Sequence, residues 1–552
     1  TSTSNPSHRN PAQLQAFSSW LFTVACCRAC CRIAHTLERR RVMGDKHLES
    51  ERVVIETYLQ EHGLETTLND AVNAVVKARP RDPYVQLGKA LLKASDGADA
   101  VAAVAAREIL GSSGRPALEV EIETQRGTFV GVASSGPYDD DADRHGGKGL
   151  LKARDAARAA LPEVLRGRDV GDQTAVDAIL AEALQDGRLP ANAVAAASAA
   201  CCVAGAAHAD VAPHAYIAKL AGQSGGAPRL PLPVVRIVDG QQAGAGATGL
   251  HVAGISVAPA SSSSLEEALD LCAAVHEKVP AACVAKNVPP PAFGRGGGYA
   301  LVVSGDRAAK ALEVVVEACR LAGADDKVAL SLECGAHALV AKSDADDDDE
   351  KSPAYDVEAF AYGDASFSKS GAEMVEDYAA LLAAFPVDTL EDPFAEHDVD
   401  AFVQLKERLD AAANGDASAG PPPKKRGPVG GDSTCAVQLV GAACCGDGDA
   451  VDAFDERKTL NTLNVTLAKG RTVSGAVALA AHARGRGWGL VVSSDGDDGD
   501  AFAAHLAVGL RAGQFRAGGL QGAEHAAKYN ALLRLATGGQ QVAWAGADFR
   551  TA

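Results

Sequence analysis

The most informative stretch for the fold of this chain is FPVDTLEDPFAEHD, residues 385–398. Its β-rich run, VDTLED, is one of several that recur from residue 230 onward and alternate with helical stretches. The others include LPLPVVRIV, VALSLE, AVQLVG, TLNTLNVTL and GWGLVVS. Strands that alternate with helices are typical of βα units, so the pattern predicts an α/β fold with a barrel-like sheet.

A different pattern precedes these units. Residues 117–124, ALEVEIET, alternate as a strand, a Gln-Arg-Gly turn follows, and residues 128–133 are predicted to pair back. Helical stretches then fill residues 150–222. Two segments in the later half, residues 343–352 and 411–434, have low complexity and are predicted to be surface loops.

Residues 47–97 are predicted to form a separate pair of helices. Pro80 and Pro83, in ARPRDPY, end the first helix and set up a second one from Tyr84. Two helices of this size cannot bury their apolar stripes alone, so we expect them to dimerise into a four-helix bundle. The predicted docking residues are Leu59, Leu64, Leu68, Val72, Val75, Pro80, Pro83 and Tyr84.

Residues 58–95, YLQEHGLETTLNDAVNAVVKARPRDPYVQLGKALLKAS, resemble the dimerisation/docking modules of the RII type, found in protein kinase A regulatory subunits. The resemblance implies a homodimer whose groove accepts an amphipathic helix of a protein partner. The alternative is an ordinary helical hairpin packed on the rest of the chain.

Charge and hydropathy narrow the choice of partners. The formal net charge of −18 argues against a nucleic-acid partner. We find no uncharged apolar stretch of transmembrane length and therefore expect no membrane partner. Residues 1–46 are predicted to be a disordered extension, a transit peptide, or an artefact upstream of a translation start at Met43.

Residues 105–545 resemble enolase. The matching motifs are REILGSSGRPALEVEIET near 107–124, LPLPVV at 230–235, FPVDTLEDPFAEHD, GWGLVVS at 487–493, and VGLRAGQFRAGG with AEHAAKYNALLRL between 508 and 535. The resemblance implies an α+β N-terminal domain over residues 104–229 and an eight-stranded α/β barrel over residues 230–545. It also implies a site at the carboxyl ends of the barrel strands.

Enolase, or phosphopyruvate hydratase, is a glycolytic lyase that converts 2-phosphoglycerate to phosphoenolpyruvate. Its chemistry needs a base, an acid and Mg²⁺ held by three oxygen ligands. The resemblance assigns the first two metal ligands to Glu333 and Glu391. Ala442 and Ala443 stand where an Asp pair is expected, so the third ligand is lost at Ala443 and Mg²⁺ binding is expected to be weakened.

The other catalytic positions also depart from the family pattern. Asn464 stands at the position of the Lys base, with Lys469 five residues on as a candidate substitute. Gly254 replaces a Glu, and His251 is a candidate for the missing loop His. The remaining replacements are Arg295 and Gly296 for the acid, Tyr138 for a loop Ser, Ser494, Asp495 and Gly496 for the phosphate-binding run, and Arg516 for a Lys that binds substrate.

These departures predict an enolase-family pseudoenzyme, catalytically impaired or dead, that acts as a dimeric scaffold for amphipathic helices. The combination resembles the enolase-like proteins of cilia and flagella, which implies a cytoplasmic or axonemal location. The alternative is a working phosphopyruvate hydratase with a rearranged Mg²⁺-dependent site, because Glu333 and Glu391 are retained. A third hypothesis is that Arg295 and Arg516 bind a different anion.

Overall fold

A computed structural model of the chain describes residues 46–94, 99–111, 115–134, 149–223, 225–240, 248–340, 353–361, 366–424, 437–494, 501–539 and 541–550. The predictions for residues 1–45, Tyr138, Asp495, Gly496 and the whole first insert, residues 343–352, lie outside these ranges. The chain divides into two compact units, one ending at Ser95 and the other beginning at Asp96.

The described residues of the first unit, 46–94, form three helices: α1 (Lys46–Glu61), α2 (Leu64–Ala78) and α3 (Pro83–Lys93). The prediction of a helix pair was therefore wrong at Gly63, whose left-handed conformation (φ 56°) separates α1 from α2. Arg79 also adopts a left-handed conformation and ends α2. The Asp82 side chain then caps α3 by accepting backbone hydrogen bonds from Tyr84 and Val85 at 3.1 and 3.2 Å.

The apolar side chains of these helices remain largely exposed. Among the side chains that the structure describes between residues 53 and 94, Ala71 alone is buried. Val76 on α2 is 66% exposed, and Tyr84 on α3 is 84% exposed. The unit therefore does not bury its own apolar stripes.

The second unit begins with the antiparallel sheet β1 (Ala103–Leu110), β2 (Pro116–Thr124) and β3 (Gly127–Ser134). Four helices follow: α4 (Leu151–Leu165), α5 (Gln173–Gln185), α6 (Ala191–His208) and α7 (Pro213–Leu220). The predicted hairpin is confirmed, with Thr124 opposite Gly127 at the turn. Alanine-rich α6 lies so close to β3 that a Cβ on Gly131 would collide with the carbonyl oxygen of Ala196.

Helix α6 contradicts the expectation that the chain has no uncharged apolar stretch of transmembrane length. Residues 191–208 contain no Asp, Glu, Lys or Arg, and their length and hydropathy are sufficient for a membrane span. However, 78% of this segment is buried inside the unit, where its small side chains form the core beneath the sheet. By its packing, α6 is a core helix.

The remaining described strands form the barrel, a short hairpin at its edge and two small separate sheets. They are β4 (Arg229–Leu230), β5 (Leu232–Pro233), β6 (Val235–Asp239), β7 (Gly254–Ala258), β8 (Ala292–Phe293), β9 (Tyr299–Ala300), β10 (Ala329–Glu333), β11 (Ala354–Asp356), β12 (Ser368–Ser370), β13 (Val387–Glu391), β14 (Gln438–Gly441), β15 (Thr462–Val465), β16 (Gly489–Ser493), β17 (Gln514–Arg516) and β18 (Ala543–Trp544).

Helices separate most of these strands and cover the barrel. They are α8 (Leu265–Ala285), α9 (Arg307–Leu321), α10 (Gly371–Ala384), α11 (Val399–Ala413), α12 (Gly448–Glu456), α13 (Leu467–Gly470), α14 (Val473–Gly485), α15 (Phe502–Gly509) and α16 (Ala523–Thr537); 3₁₀ turns lie at Ala336–Leu339, Ala417–Ala419 and Gly546–Asp548. Helix α11 ends at Ala413, and a 3₁₀ turn follows. The start of the insert predicted at 411–434 was therefore placed too early, within the last turn of a helix.

The sheet order, β5-β17-β16-β15-β14-β13-β10-β7-β6, confirms the predicted α/β barrel. Strands β5 and β6 belong to one stretch, residues 232–239, which pairs with β17 on one side and with β7 on the other. Counted as one strand, this stretch closes a barrel of eight strands. Strand β7 runs antiparallel to both of its neighbours, and all other neighbouring strands of the barrel pair in parallel.

A buried polar junction joins the first helices of this unit to the barrel. Ser198 on α6 donates to Asp177 Oδ1 at 2.6 Å and accepts from the backbone N–H of Val473 at 2.8 Å. Asp177 also accepts from the backbone N–H of Ser474 at 2.8 Å. Both N–H groups lie in the first turn of α14, where no intrahelical acceptor exists, so this junction caps the helix.

Replacing Ser198 tests the junction. Ser198→Ala leaves the buried N–H of Val473 without its acceptor, and we expect a loss of about 1–3 kcal/mol in the free energy of unfolding. Urea denaturation followed by tryptophan fluorescence measures it. Ser261→Ala, at an exposed serine that donates to the Lys327 carbonyl, is the matched control and should change little. Equal effects of the two substitutions would contradict the assigned role of the junction.

Candidate functional site

The carboxyl ends of the parallel strands bring a set of polar side chains together. Glu333 and Glu391 are the last residues of β10 and β13 and are partners in the register. Ser493 and Arg516 end β16 and β17 and are likewise partners. Asn464 lies near the end of β15, between the two pairs. This edge of the barrel is where the site was predicted.

Arg516 connects the two glutamates directly. Its Nη1 lies 2.8 Å from Glu333 Oε2, and its Nη2 lies 2.7 Å from Glu391 Oε1. A second arginine, Arg236 on β6, contacts both oxygens of Glu333 through its Nε and Nη2. The sequence suggested Arg516 as a ligand for a substrate anion; in the structure its guanidinium is instead committed to two internal carboxylates.

Neutral side chains complete the network. Ser256 on β7 donates to Glu333 Oε1 at 2.8 Å. Asn464 donates from Nδ2 to Glu391 Oε1 at 3.2 Å and accepts from Ser493 Oγ at 2.8 Å. Glu333 Oε1 and Glu391 Oε1 therefore each accept two hydrogen bonds, and Glu333 Oε2 forms ion pairs with both arginines.

The two glutamates differ in acidity because their neighbours differ. Burial alone would raise the pKa of Glu333, but the positive charges of Arg236 and Arg516 outweigh it and hold that pKa at about 2. Burial raises the pKa of Glu391; Arg516 opposes this shift, and the negative charges of Glu333 and Asp392 add to it. Glu333 is thus the firmly ionised member, and Glu391 is protonated more readily.

Asp392 cannot supply the missing third ligand. Its backbone is left-handed (φ 45°), and its carboxylate accepts the backbone N–H groups of Ala442 and Ala443 at 2.7 and 2.6 Å. Among the described residues, no group of three His, Cys, Asp or Glu side chains could hold a metal ion. The residues present therefore do not fit a Mg²⁺ site: two guanidinium groups contact three of the four glutamate oxygens, and backbone N–H groups lie at the third position.

The two candidate catalytic groups have other surroundings. Lys469 Nζ donates to the backbone oxygen of Asn464 at 2.8 Å, and burial lowers the pKa of its ammonium group. Burial also lowers the pKa of His251, and the charges with the largest effect on it are those of Asp377, Asp306, Lys369 and Arg307. Lys469 borders the site, whereas His251 belongs to a different environment.

The loop that aligns with the catalytic acid is held by backbone hydrogen bonds. Asp239, at the end of β6, accepts from the N–H groups of Gly296 and Gly298 at 2.9 and 3.3 Å. Gly297 has a left-handed conformation (φ 83°), and a Cβ there would meet His525. Arg295 is exposed, unlike the buried Arg516. The loop offers peptide groups and glycines where an acid is required.

Arg236, Ser256 and Ser493 are site residues that the sequence-based prediction did not include. Arg236 is the one that carried a signal. It is a lone charge inside an apolar strand, LPLPVVRIV, and a charge in such a run is a signal for a buried partner. Ser256 and Ser493 gave no comparable signal, because a serine in a strand is compatible with many surroundings.

The arrangement neutralises itself internally. Arg236, Arg516 and Lys469 each have a partner within the protein, a carboxylate or a carbonyl oxygen. Asn464 has no basic nitrogen, so it cannot accept a proton from a carbon acid. The described residues therefore provide a closed ionic network in place of an open site for an anionic substrate and a cation.

Comparison with known proteins gives one consistent result. The family model "Enolase, C-terminal TIM barrel domain" matches residues 227–417 and 432–552, and "Enolase, N-terminal domain" matches residues 101–217. The chain is 30% identical to an enolase of Eimeria tenella over 476 residues, which cover 82% of this chain and 99% of that protein. It is 28% identical to "Cytosolic enolase 3" of Arabidopsis thaliana over 515 residues, 90% of this chain and 99% of that protein. An enolase of Mastigamoeba balamuthi is 29% identical over 459 residues, 79% of this chain and 95% of that protein.

Proposed function

The chain belongs to the enolase family, and from that premise we propose that it is a catalytically impaired member acting as a dimeric scaffold for amphipathic helices. The observation that carries the proposal is Arg516, whose guanidinium is bound to both retained glutamates. Those carboxylates would have to be available to a cation in a working phosphopyruvate hydratase.

Loss of the proton-transfer groups supports the same conclusion. Asn464 is a neutral amide at the position of the base, and Gly296 with Arg295 replaces the acid. Lys469 is a poor substitute for the base, because its Nζ already donates to a backbone oxygen of the strand end. Retention of Glu333 and Glu391 is explained by their ion pairs, without a catalytic role.

The helical unit supports the scaffold role. Leu68, Val72, Val75 and Val76 recur at i, i+4, i+7 and i+8 along α2, which places them on one face of the helix. None of these side chains is buried within the chain. An apolar stripe of this kind is stable in water when a second copy or a partner helix covers it.

The charge of this unit favours an apolar partner. Residues 46–94 contain seven basic and seven acidic residues, whereas the whole chain has a net charge of −18. A neutral module attached to an acidic body would recognise a partner through buried apolar area rather than through long-range attraction. An amphipathic helix matches such a surface, with its apolar residues at i and i+4.

We place this scaffold in the cytoplasm, with the axoneme of cilia or flagella as the specific site of assembly. A relative named cytosolic enolase supports the first part. The second part rests on the combination of an RII-type module with an enolase-like body. Homodimer formation through the helical unit is part of the proposal.

A matched pair of valines tests the docking surface. Val76→Asp puts a charge on the α2 face, and we expect it to weaken binding of a fluorescent amphipathic helix peptide to the full-length protein by more than about 10-fold. Fluorescence anisotropy measures the affinity, with a scrambled peptide as the reference. Light scattering of the same samples gives the number of chains per particle.

The control is Val284→Asp on α8, a helical valine of similar exposure, 75% against 66% for Val76. This substitution should leave peptide binding unchanged. Equal affinity of wild type and Val76→Asp, or a wild-type chain that is monomeric and ignores the peptide, would refute the scaffold role.

A further inference from the structure

The resemblance to enolase implies a divalent cation at the carboxyl ends of the barrel strands. In this chain, two arginines supply the positive charge at that place. We propose that Arg236 and Arg516 are a permanent, built-in replacement for that cation, so the barrel is charge-balanced without metal and closed to it. The inference concerns the barrel alone and does not depend on whether the helical unit docks a partner.

Arg516 stands in the bridging position. A metal ion shared by two carboxylates draws one oxygen from each, and the two terminal nitrogens of Arg516 do the same, at 2.8 and 2.7 Å from Glu333 and Glu391. A guanidinium presents its donors in a rigid planar fork that suits such a bridge. Arg516 is 9% exposed, so the bridge is shielded from water.

Arg236 supplies the second unit of positive charge. It approaches Glu333 through Nε at 3.4 Å and through Nη2, which is the two-point geometry typical of arginine and carboxylate. Two guanidinium groups balance two glutamates, as one divalent ion would. Arg236 Nη1 also lies 3.6 Å from Asp239, which ties the pair to the neighbouring glycine loop.

The position of the third metal ligand, at Ala442 and Ala443, has also lost a carboxylate and now presents hydrogen-bond donors. The backbone N–H groups of Ala442 and Ala443 are donors, and both point at the Asp392 carboxylate. A cation in this place would face amide hydrogens on one side and two guanidinium groups on the other. Arg516, Arg236 and the loss of the third ligand all make this place favourable for anions and unfavourable for cations. The protein's own carboxylates are the anions that bind there.

Metal titration of the full-length protein tests the replacement. We expect no saturable Mn²⁺ binding by electron paramagnetic resonance up to ~1 mM, the weak end of biological cation sites, and the same melting temperature in Mg²⁺ and in EDTA. Arg236→Gln removes one positive charge at a half-buried position and leaves Glu333 undercompensated. In this variant, but not in wild type, Mn²⁺ should raise the melting temperature.

The double variant Arg236→Gln with Glu333→Gln is the control, and its melting temperature should not respond to Mn²⁺. Saturable Mn²⁺ binding by the wild-type protein overturns the inference. An Arg236→Gln variant as indifferent to Mn²⁺ as wild type also overturns it, because the arginine would then not be what excludes the ion. The wild-type titration is decisive even where a variant is poorly folded.

Discussion

Full-length protein supplied with 2-phosphoglycerate and saturating Mg²⁺ is expected to form no phosphoenolpyruvate above the uncatalysed rate. An enzyme typically accelerates its reaction by at least ~10⁶-fold, and we expect essentially all of that factor to be absent. This is the largest effect that the structure predicts, and it separates an impaired family member from a working phosphopyruvate hydratase.

Several independent losses lead to this expectation. A general base contributes ~10²–10⁴ in rate, and Asn464 cannot act as one. Electrostatic stabilisation of a developing anion contributes ~10²–10³ for each donor, and the guanidinium groups of Arg236 and Arg516 are already paired with glutamates. Such contributions are not additive, but removal of one member of a catalytic group is usually severe by itself.

The assay needs a control against a contaminating enolase from the expression host. Glu391→Gln and Lys469→Ala proteins, purified in the same way, should give the same background rate as wild type. A wild-type rate that either substitution abolishes would show that the rearranged site turns over, with Glu391 or Lys469 in the chemistry. That result would favour the hydratase alternative and refute the impaired one.

The fold was predictable because its signals are local and repeated. Each barrel strand is a short apolar run, such as VALSLE or VDTLED, and strands of this kind are recognisable without knowledge of their neighbours. Two predictions that concern helices failed, besides the start of the second insert. The break at Gly63 depends on one left-handed residue inside a continuous helical pattern. Helix α6 is apolar mainly through alanines, which pack closely under a sheet, and the sequence pattern did not mark it as a long apolar stretch.

The site was predictable only as a set of replacements. The resemblance located Glu333, Glu391, Asn464 and Arg516, but not what they contact, because contacts between strand ends depend on barrel register. Arg236 lies 97 residues before Glu333 in the chain, and no local pattern joins them. The change from a metal site to an ion-pair network is therefore visible only in three dimensions.

Among the single substitutions that we propose, Arg516→Met is expected to destabilise the barrel most. Removing one partner from a buried ion pair leaves an uncompensated charge and costs ~3–5 kcal/mol in the free energy of unfolding. Glu333 keeps Arg236, but Glu391 loses the cation at 2.7 Å and retains the negative charges of Glu333 and Asp392 around it. Urea unfolding followed by the fluorescence of Trp488, which is buried in the barrel unit, measures the loss.

The pH dependence of this deficit identifies its cause. Without Arg516 the pKa of buried Glu391 rises further above the ordinary value of 4.5, so the folded state binds a proton more readily than the unfolded state. Stability then falls as pH rises above 4.5, and the deficit of Arg516→Met should shrink as pH is lowered from about 7 toward that value. A deficit caused by lost packing alone would not change with pH.

A double-mutant cycle completes the argument. If an unpaired Glu391 is the main cost, adding Glu391→Gln to Arg516→Met should recover stability, with a coupling free energy of about 1–3 kcal/mol. Arg320→Met, at an exposed helical arginine that pairs with Glu317, is the matched control and should leave the unfolding midpoint nearly unchanged. An Arg516→Met protein as stable as this control would mean that the bridge contributes nothing to the fold, and the retention of both glutamates would then need a different explanation.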